Sequence, residues 1–535
     1  MARFFNTTGV CEPRKHYMIP AEARVTGLRQ LIDKELYFVV HAPRQVGKST
    51  SLRALAESLT AEGHYAALHT SCEAGQKIRP DLEGSINAIL EILLDRAQHF
   101  LTPELRPPAI NYSAAPETRL YDLLARWAES SPQPVVLFLD EIDALYDDAL
   151  ISVLRQLRSG YDLRPGRFPH AVALIGMRDV RDYKVLGHNG SEEPVERTLG
   201  TASPFNIKSD SLRLPNFTAA EVATLYEQHT EETGQIFLDE TKTLAFTLTQ
   251  GQPWLVNALA RQVIETVVPD RQIEITPEHL AVAKEILVRR RDTHLDSLLD
   301  RLRETRVRRV LEPILAGESP DPEVFDDDYL FVEALGLVTT GPTGLEIANP
   351  IYQEIIPRAL TAVAERFVPM QRAAYVEEDG GLDWNALLDG FASFWKQNAE
   401  WMLRQQPYSE AAAQMIFMAF LHRLVNGPEL DVTGRVATVD REFAVGSGRI
   451  DMLVRWPLPD GNTQQFAVEM KVRRDKDGDP LEDGILQLSE YLDRLGLETG
   501  TLLLFDLRGN APPMAERCSR TMHEHGQRKF TIQRL

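Results

Sequence analysis

Cysteine is scarce in this 535-residue chain: Cys11, Cys72 and Cys518 are few, odd in number and far apart. They cannot build a disulfide framework, so reduced thiols and a cytoplasmic location are expected. Long hydrophobic runs are missing as well. No stretch approaches the roughly 18 apolar residues of a membrane span, and no membrane partner is expected. The opening "MARFFNTTGVCEPRKH" lacks the apolar segment of a secretory signal. Positive charge is in deficit, with a net charge of -20. That balance opposes indiscriminate binding of nucleic acid, which would have to meet a local basic surface or be admitted only in an activated state. Internal repeats and low-complexity tracts are absent too.

What is present is an ordinary globular composition, long enough for three or four domains at about 150 residues each. The first two hundred residues alternate apolar strands with amphipathic helices, the pattern of an α/β domain with a parallel sheet. Strands are predicted at "LYFVVH" (36–41), "HYAALHT" (64–70), "VVLFLD" (135–140) and "AVALIG" (171–176). From about residue 211 the pattern turns helical, with a capping box at Thr218 and Glu221 and a helix opening at "TPEH" (276–279). Residues 306–360 read as two helices and two short strands around "TTGPTG", a small winged-helix module. The stretch 368–385 looks like a boundary, and a second α/β domain follows. The expected division is 1–210, 211–290, 291–367 and 385–535.

"HAPRQVGKSTSL" starts where the 36–41 strand ends and fits G-x-x-x-x-G-K-[ST] except for Ala42 at the first glycine. Strand, loop and helix is the context that this phosphate-binding motif requires. Amides of residues 45 to 50 (Gln45, Val46, Gly47, Lys48, Ser49, Thr50) would cradle phosphate, Lys48 would reach the β/γ oxygens, and Ser49 would hold Mg²⁺. "VVLFLDEID" supplies the second half: Asp140 for the Mg²⁺ shell and Glu141 to polarise the attacking water. Asp143, Asp147 and Asp148 read as a solvated acidic turn. "LIGMRDVRDYK" brings Arg178 toward the same edge, either to sense the γ-phosphate or to pair with Asp179 or Asp182.

These motifs resemble the P-loop ATPases of the STAND and AAA-like families, over roughly residues 1 to 360. "GQPWLVNALA" (251–260) resembles the Gly-x-Pro motif of the helical lid, and the resemblance implies that Gly251 and Pro253 pack on adenine. "HYMIPAEAR" (16–24) is similar to the lead-in that flanks the base. No arginine finger is evident; Arg164 and Arg167 read as solvated loop charges, with reach to a neighbour's nucleotide as the other reading. The implied cofactors are ATP and Mg²⁺.

A second constellation lies near the end of the chain. In "FAVEMKVRR" (466–474), Phe466, Val468, Met470 and Val472 alternate with Ala467, Glu469 and Lys471, so the two charged residues share a strand face. Upstream, "GSGRIDMLVRW" sets Asp451 near the start of another strand. Asp, then Glu-x-Lys on a neighbouring strand, resembles the PD-(D/E)XK nuclease core, over about residues 385 to 535. The resemblance implies Asp451 and Glu469 as Mg²⁺ ligands, with Lys471 orienting water or stabilising charge on phosphorus. It also implies Glu410 as an extra ligand from the first core helix, and a Gln-x-x-x-Tyr pair, Gln487 and Tyr491, on the helix after the catalytic strand. Arg473 and Arg474 would contact phosphates or simply be a solvated strand end. The basic run 287–309 alternates with acids at helical spacing and reads as a salt-bridged exposed helix.

The expectation is an α/β multidomain protein: a P-loop NTPase with parallel sheet, helical lid and winged helix, joined to a restriction-endonuclease-like α/β domain. ATP would control a nuclease acting on DNA in preference to RNA, with a homo-oligomer as the working form. The resemblance further implies defence against phage or mobile DNA. Two other classes stay open: a regulatory switch whose nuclease-like domain only binds, and an ATPase adaptor that recognises DNA through the winged helix.

Overall fold

The computed structural model describes residues 3–535 apart from 77–80, 146, 180–183, 188–194, 199–209, 291–300, 316–325, 342–343, 366–374, 406–411, 426–437, 446–447, 476–477 and 527. The chain forms two compact units. The first is Met1–Leu287 with Leu330–Val338, and the second is Val288–Tyr329 with Thr339–Leu535.

The first unit is built on β1 (Tyr37–His41), α1 (Lys48–Ala61), β2 (Ala66–Ser71), α2 (Leu82–Phe100), α3 (Pro116–Ser130), β3 (Val135–Asp140), α4 (Asp147–Ser159), β4 (Ala171–Gly176) and β5 (Asp210–Arg213). The strands pair in the order β2-β3-β4-β1-β5, all parallel. Near-continuous apolar runs are what such strands need, because both faces are covered. Tyr37, Val39, Leu137 and Val172 bury against α2, α3 and α4. Their neighbours Phe38, Val40, Val136, Phe138 and Ala173 bury against Leu52, Leu55 and Leu59 of α1. Since every strand runs the same way, the loops after β1, β3 and β4 meet at one edge of the sheet.

Three helices follow: α5 (Ala219–Thr233), α6 (Asp239–Thr249) and α7 (Pro253–Gln262). The capping box at the head of α5 forms, with Thr218 Oγ1 accepting from Glu221 N and Glu221 Oε2 accepting from Thr218 N. Between α6 and α7 the chain turns through Gly251 at φ +68°. Phe217 N donates to the Gly251 carbonyl at 2.8 Å, and a Cβ on Gly251 would lie 1.8 Å from the Phe217 carbonyl oxygen.

The second unit contains α8 (Trp384–Gln405), α9 (Ala412–Val425), β6 (Thr438–Val445), β7 (Gly448–Pro457), β8 (Thr463–Arg473), α10 (Leu481–Leu495), β9 (Thr499–Asp506), β10 (Ser519–His525) and β11 (Arg528–Arg534). The sheet order is β6-β7-β8-β9-β11-β10. β7 is antiparallel to β6 and β8, whereas β8, β9 and β11 are parallel. One face packs on α8 and α9 through Val454, Val468, Met470 and Phe505. The other packs on α10 through Ala467, Leu502, Leu504, Ile485 and Leu488. The face of β8 that carries Glu469 and Lys471 is therefore covered by a helix.

Of the span expected to form the winged helix, Thr305–Leu315, Asp326–Ala334 and Pro350–Glu365 are helical, and Val338–Gly341 pairs with Gly344–Ile347. Within the basic run, 291–300 lies outside the described residues. Beyond it, Arg301 pairs with Glu304, and Arg306 and Arg309 pair with Asp328.

Gly251→Ala forces a side chain into a left-handed conformation and against a carbonyl that cannot move without breaking the α5 entry. It should destabilise the protein by about 1–3 kcal/mol, read as a lowered melting temperature.

Candidate functional sites

The phosphate loop leaves β1 with two residues in the left-handed region, Gln45 at φ 60° and Gly47 at φ 92°. Ala42 is not among them, so glycine is dispensable where this chain departs from the motif; its side chain is buried. Lys48 opens α1 and donates to the carbonyls of Ala42 (2.7 Å) and Pro43 (2.8 Å). Burial pushes its ammonium below the usual lysine range, against the pull of Asp140, Asp143 and Glu141.

Ser49 Oγ donates to Asp140 Oδ2 at 2.6 Å, bringing the two expected Mg²⁺ ligands together. Two hard oxygens side by side at the end of a phosphate loop suit that ion. Asp140 is 2% exposed. Burial alone would raise its pKa, but His69 Nε2 at 3.0 Å, Ser49 and the Glu141 amide outweigh it and hold the carboxyl below the usual range. Glu141 follows at φ 57° and accepts from Ser71 Oγ. Partial desolvation raises its pKa, as it does for Asp143. Asp143 is therefore not part of a solvated acidic turn: it is partly buried and faces Lys48 and Arg44.

His69 and Ser71 were not singled out in the sequence, where they read as ordinary letters of an alternating strand. Only the parallel register, Ser71 opposite Asp140, makes them neighbours of the acids. Arg24 was also missed as an individual residue. It donates to the Val46 carbonyl at 2.7 Å and to the Pro215 carbonyl, and its guanidinium lies 4.7 Å from the centre of the Phe217 ring.

Gln45, Val46, Gly47 and Thr50 line a cavity of about 120 Å³, together with residues 6–9, residues 17–19 of the lead-in and Pro253 of α7. Thr50 Oγ1 accepts from Cys11 N (3.1 Å), and Trp254 Nε1 donates to the Thr7 carbonyl (2.9 Å). The loop, the lead-in and α7 thus enclose one space. Arg178 lies two residues beyond β4 with its guanidinium 5.0 Å from the centre of the Phe331 ring. Arg164 is not a solvated charge: it donates to the carbonyls of Tyr161 and Glu35 and stacks on Tyr161. Arg167 is exposed and paired with Glu129 at 2.6 Å.

Residues 32–183 match the family model of an AAA domain. An AAA-type P-loop ATPase domain occupies that part of the chain. Comparison with curated proteins finds no match. Among solved structures, the chain is similar to a Walker-type ATPase of Pyrococcus abyssi, with 14% identity, 66% of this chain and 99% of that one covered, and a TM-score of 0.47. It is also similar to the RuvB Holliday junction branch migration motor of Thermotoga maritima (15% identity, 62% and 92% covered, TM-score 0.32). A third is the ORC2 protein of Aeropyrum pernix (14% identity, 64% and 93% covered, TM-score 0.35).

In the second unit, the antiparallel pairing of β7 and β8 runs from Pro457↔Thr463 to Met452↔Val468 and stops there. At the next step Asp451 Oδ2 accepts from Met470 N at 2.7 Å, so a side chain stands in for the ladder carbonyl and the strands part. Glu469 sits in that opening with 0% exposure. Neither of its oxygens accepts a hydrogen bond from the described residues. Lys471 Nζ is 2.9 Å from Oε1, close enough for an ion pair but outside hydrogen-bond angles. The ammonium donates instead to Gln487 Oε1 (2.7 Å), and Gln487 Nε2 donates to Tyr491 OH (3.0 Å). Burial first, and then the Asp451 charge, push the Glu469 carboxyl far above its usual range. The same carboxylates raise Lys471 despite its burial.

Asp451, Glu469, Lys471, Gln487 and Tyr491 thus form one connected group. Glu410 lies outside the described residues, and among those residues no set of three or more His, Cys, Asp and Glu side chains converges as a metal cluster. A buried carboxylate with both oxygens short of donors, beside a second carboxylate, still suits a hard divalent cation. Arg473 pairs weakly with Asp479, at 4.0 Å.

A carboxyl whose pKa is raised by folding resists ionisation while the unfolded chain ionises near pH 4.3, so stability falls as pH climbs above about that value. Glu469→Gln removes this loss and leaves Asp451 and Lys471 as a balanced pair. Without divalent cation at about pH 8, the variant should be more stable than wild type by about 1–2 kcal/mol. The gain should vanish near about pH 4. Added Mg²⁺ should raise the melting temperature of wild type and not of the variant.

Proposed function

We propose that this protein is an ATP-operated switch that controls a metal-dependent nuclease. The observation that carries the nuclease half is Glu469, a fully buried carboxylate beside Asp451 whose one close cation among the described residues, the Lys471 ammonium at 2.9 Å, lies outside hydrogen-bond angles. Helix α9, three antiparallel strands, the crossover helix α10 and a fourth, parallel strand are in keeping with a restriction-endonuclease-like domain. Mg²⁺ held by Asp451 and Glu469 would polarise a phosphodiester and acidify a bound water. Lys471, steadied by Gln487 and Tyr491, would orient that water or meet the charge that develops on phosphorus.

In the first unit the AAA domain supports ATP binding. The amides of residues 45 to 50 would cradle the phosphates, and Lys48 would exchange the carbonyls of Ala42 and Pro43 for phosphate oxygens. Ser49 and Asp140 would hold Mg²⁺, and Glu141, kept aside by Ser71, would turn to the attacking water. Arg178 would sense the γ-phosphate, and Gly251 and Pro253 would shape the base pocket.

Coupling has a covalent route. Residues Leu330–Val338, flanked in sequence by segments of the second unit, belong to the first. There Gly336 abuts Pro43 of the phosphate loop, Phe331 underlies Arg178, and Glu333 pairs with Arg213 at 2.6 Å. A change at the loop would pull on this segment and on the chain at either end of it. The working form in this reading is a cytoplasmic homo-oligomer acting on DNA in preference to RNA. Defence against phage or mobile DNA is the role that the family resemblance suggests. The absence of a three-ligand cluster among the described residues favours, as a second reading, a nuclease-like domain that only binds.

The full-length protein should cut plasmid, linear or single-stranded DNA only with Mg²⁺, at a rate set by ATP. Lys48→Ala should weaken ATP binding on the order of a hundredfold and uncouple cutting from ATP. Glu141→Gln should bind ATP and hydrolyse it slowly. Asp451→Ala should abolish cutting while the protein still folds, read by its circular dichroism. Equal cutting by wild type and Lys48→Ala defeats the coupling, and no cutting under any nucleotide or metal condition supports the binding-only reading.

A further inference from the structure

Asn257 lies on α7 and is 7% exposed. Its side chain lines the cavity that Val46 and Gly47 of the phosphate loop share with Thr7, Cys11 and Pro253. Its Nδ2 donates to the Pro253 carbonyl one helical turn earlier, at 2.8 Å. Turning the amide over would set oxygen against oxygen, so the helix itself fixes which end faces where. The other end, Oδ1, is buried and accepts no hydrogen bond from any described residue. A buried amide oxygen left without a donor is costly.

The other polar groups around the cavity are mostly satisfied among themselves. Thr50 Oγ1 takes the Cys11 amide, Asn6 Oδ1 takes the Thr8 amide, and Asn6 Nδ2 gives to the Gly9 carbonyl. The Tyr17 hydroxyl is also without a partner, but it can donate or accept and so selects nothing. Asn257 Oδ1 can only accept. A ligand that fills this space must bring an N–H or O–H to that point.

We infer that Asn257 is the residue that selects the base: its Oδ1 accepts a hydrogen bond from the exocyclic amino group of adenine. The inference rests on the reading of the phosphate loop as a nucleotide site. With the phosphates on the amides of residues 45 to 50, the base enters the cavity that the same loop borders. Guanine presents a carbonyl oxygen at the corresponding ring position, acceptor against acceptor. A purine with hydrogen there leaves Oδ1 unpaired. Sites that pair a buried polar group with a substrate N–H reject analogues lacking it, because the protein group is then stranded.

The test is equilibrium binding, by calorimetry on the full-length protein, of ATP, GTP and purine riboside triphosphate, which has hydrogen in place of the amino group. Wild type should bind ATP about tenfold or more tightly than the other two. Asn257→Ala should bind ATP about tenfold more weakly, bind purine riboside triphosphate as wild type does, and so lose the discrimination. If Asn257→Ala does not fold, the comparison of ATP with purine riboside triphosphate on wild type decides. Equal affinities there, or an undiminished preference in a folded Asn257→Ala, overturn the inference while leaving the nucleotide site intact. Failure of every nucleotide to bind wild type overturns the nucleotide reading, and this inference with it.

Discussion

Asp140 and Glu469 are carboxylates that folding strips of water: each ends or interrupts a buried run of strand, and they are 2% and 0% exposed. A desolvated carboxylate must find donors or a cation, and the two sites answer that demand in opposite ways. Asp140 is supplied from three sides, by Ser49 of α1, His69 of β2 and the amide of Glu141. Its charged form is favoured with the chain alone. Glu469 has the Lys471 ammonium at an unfavourable angle, and Asp451 adds a second negative charge nearby. Burial outweighs what Lys471 gives back to its charged form, a condition that a divalent cation would relieve.

The sheets bring these groups together by different devices. In the first unit, parallel strands end at a common edge, so residues far apart in sequence converge without any distortion of the ladder. Ser71 meets Glu141 and His69 meets Asp140 only because β2 and β3 lie side by side in that register. In the second unit the ladder itself gives way. Pairing of β7 with β8 stops at Met452↔Val468 while β8 goes on pairing with β9. The gap holds the acids, and α10 closes over it with Gln487 and Tyr491.

Close approach of backbone to backbone shapes the cavity beside the phosphate loop. Gly251 brings α7 against the entry of α5, and α7 then presents Pro253, Trp254 and Asn257 to the lead-in and the phosphate loop. Cys11 and Thr7 are tied to Thr50 and Trp254 by single hydrogen bonds. A space walled by three separate segments can change when any one of them moves.

Much of this was legible in the chain. Apolar runs and the G-K-S loop were enough to read four of the five strands, because a buried parallel strand has no polar face to confuse the pattern. The neighbourhood of Glu469 with Lys471, and of Gln487 with Tyr491, followed from motifs whose spacing is local. What local spacing cannot carry is register between distant strands and the identity of the group that fills a cavity. His69 and Ser71 gained meaning from β3, seventy residues away. Arg164 became a stacked, part-buried anchor through Tyr161 and the Glu35 carbonyl, and Asp143 became partly buried through the fold of the loop around Lys48. The amino acids by themselves determined which segments could be strands and which residues could bind phosphate or metal. Tertiary structure alone decided which carboxylate is satisfied and which is stranded, because burial and hydrogen-bond supply belong to the surroundings of a side chain and not to its letter.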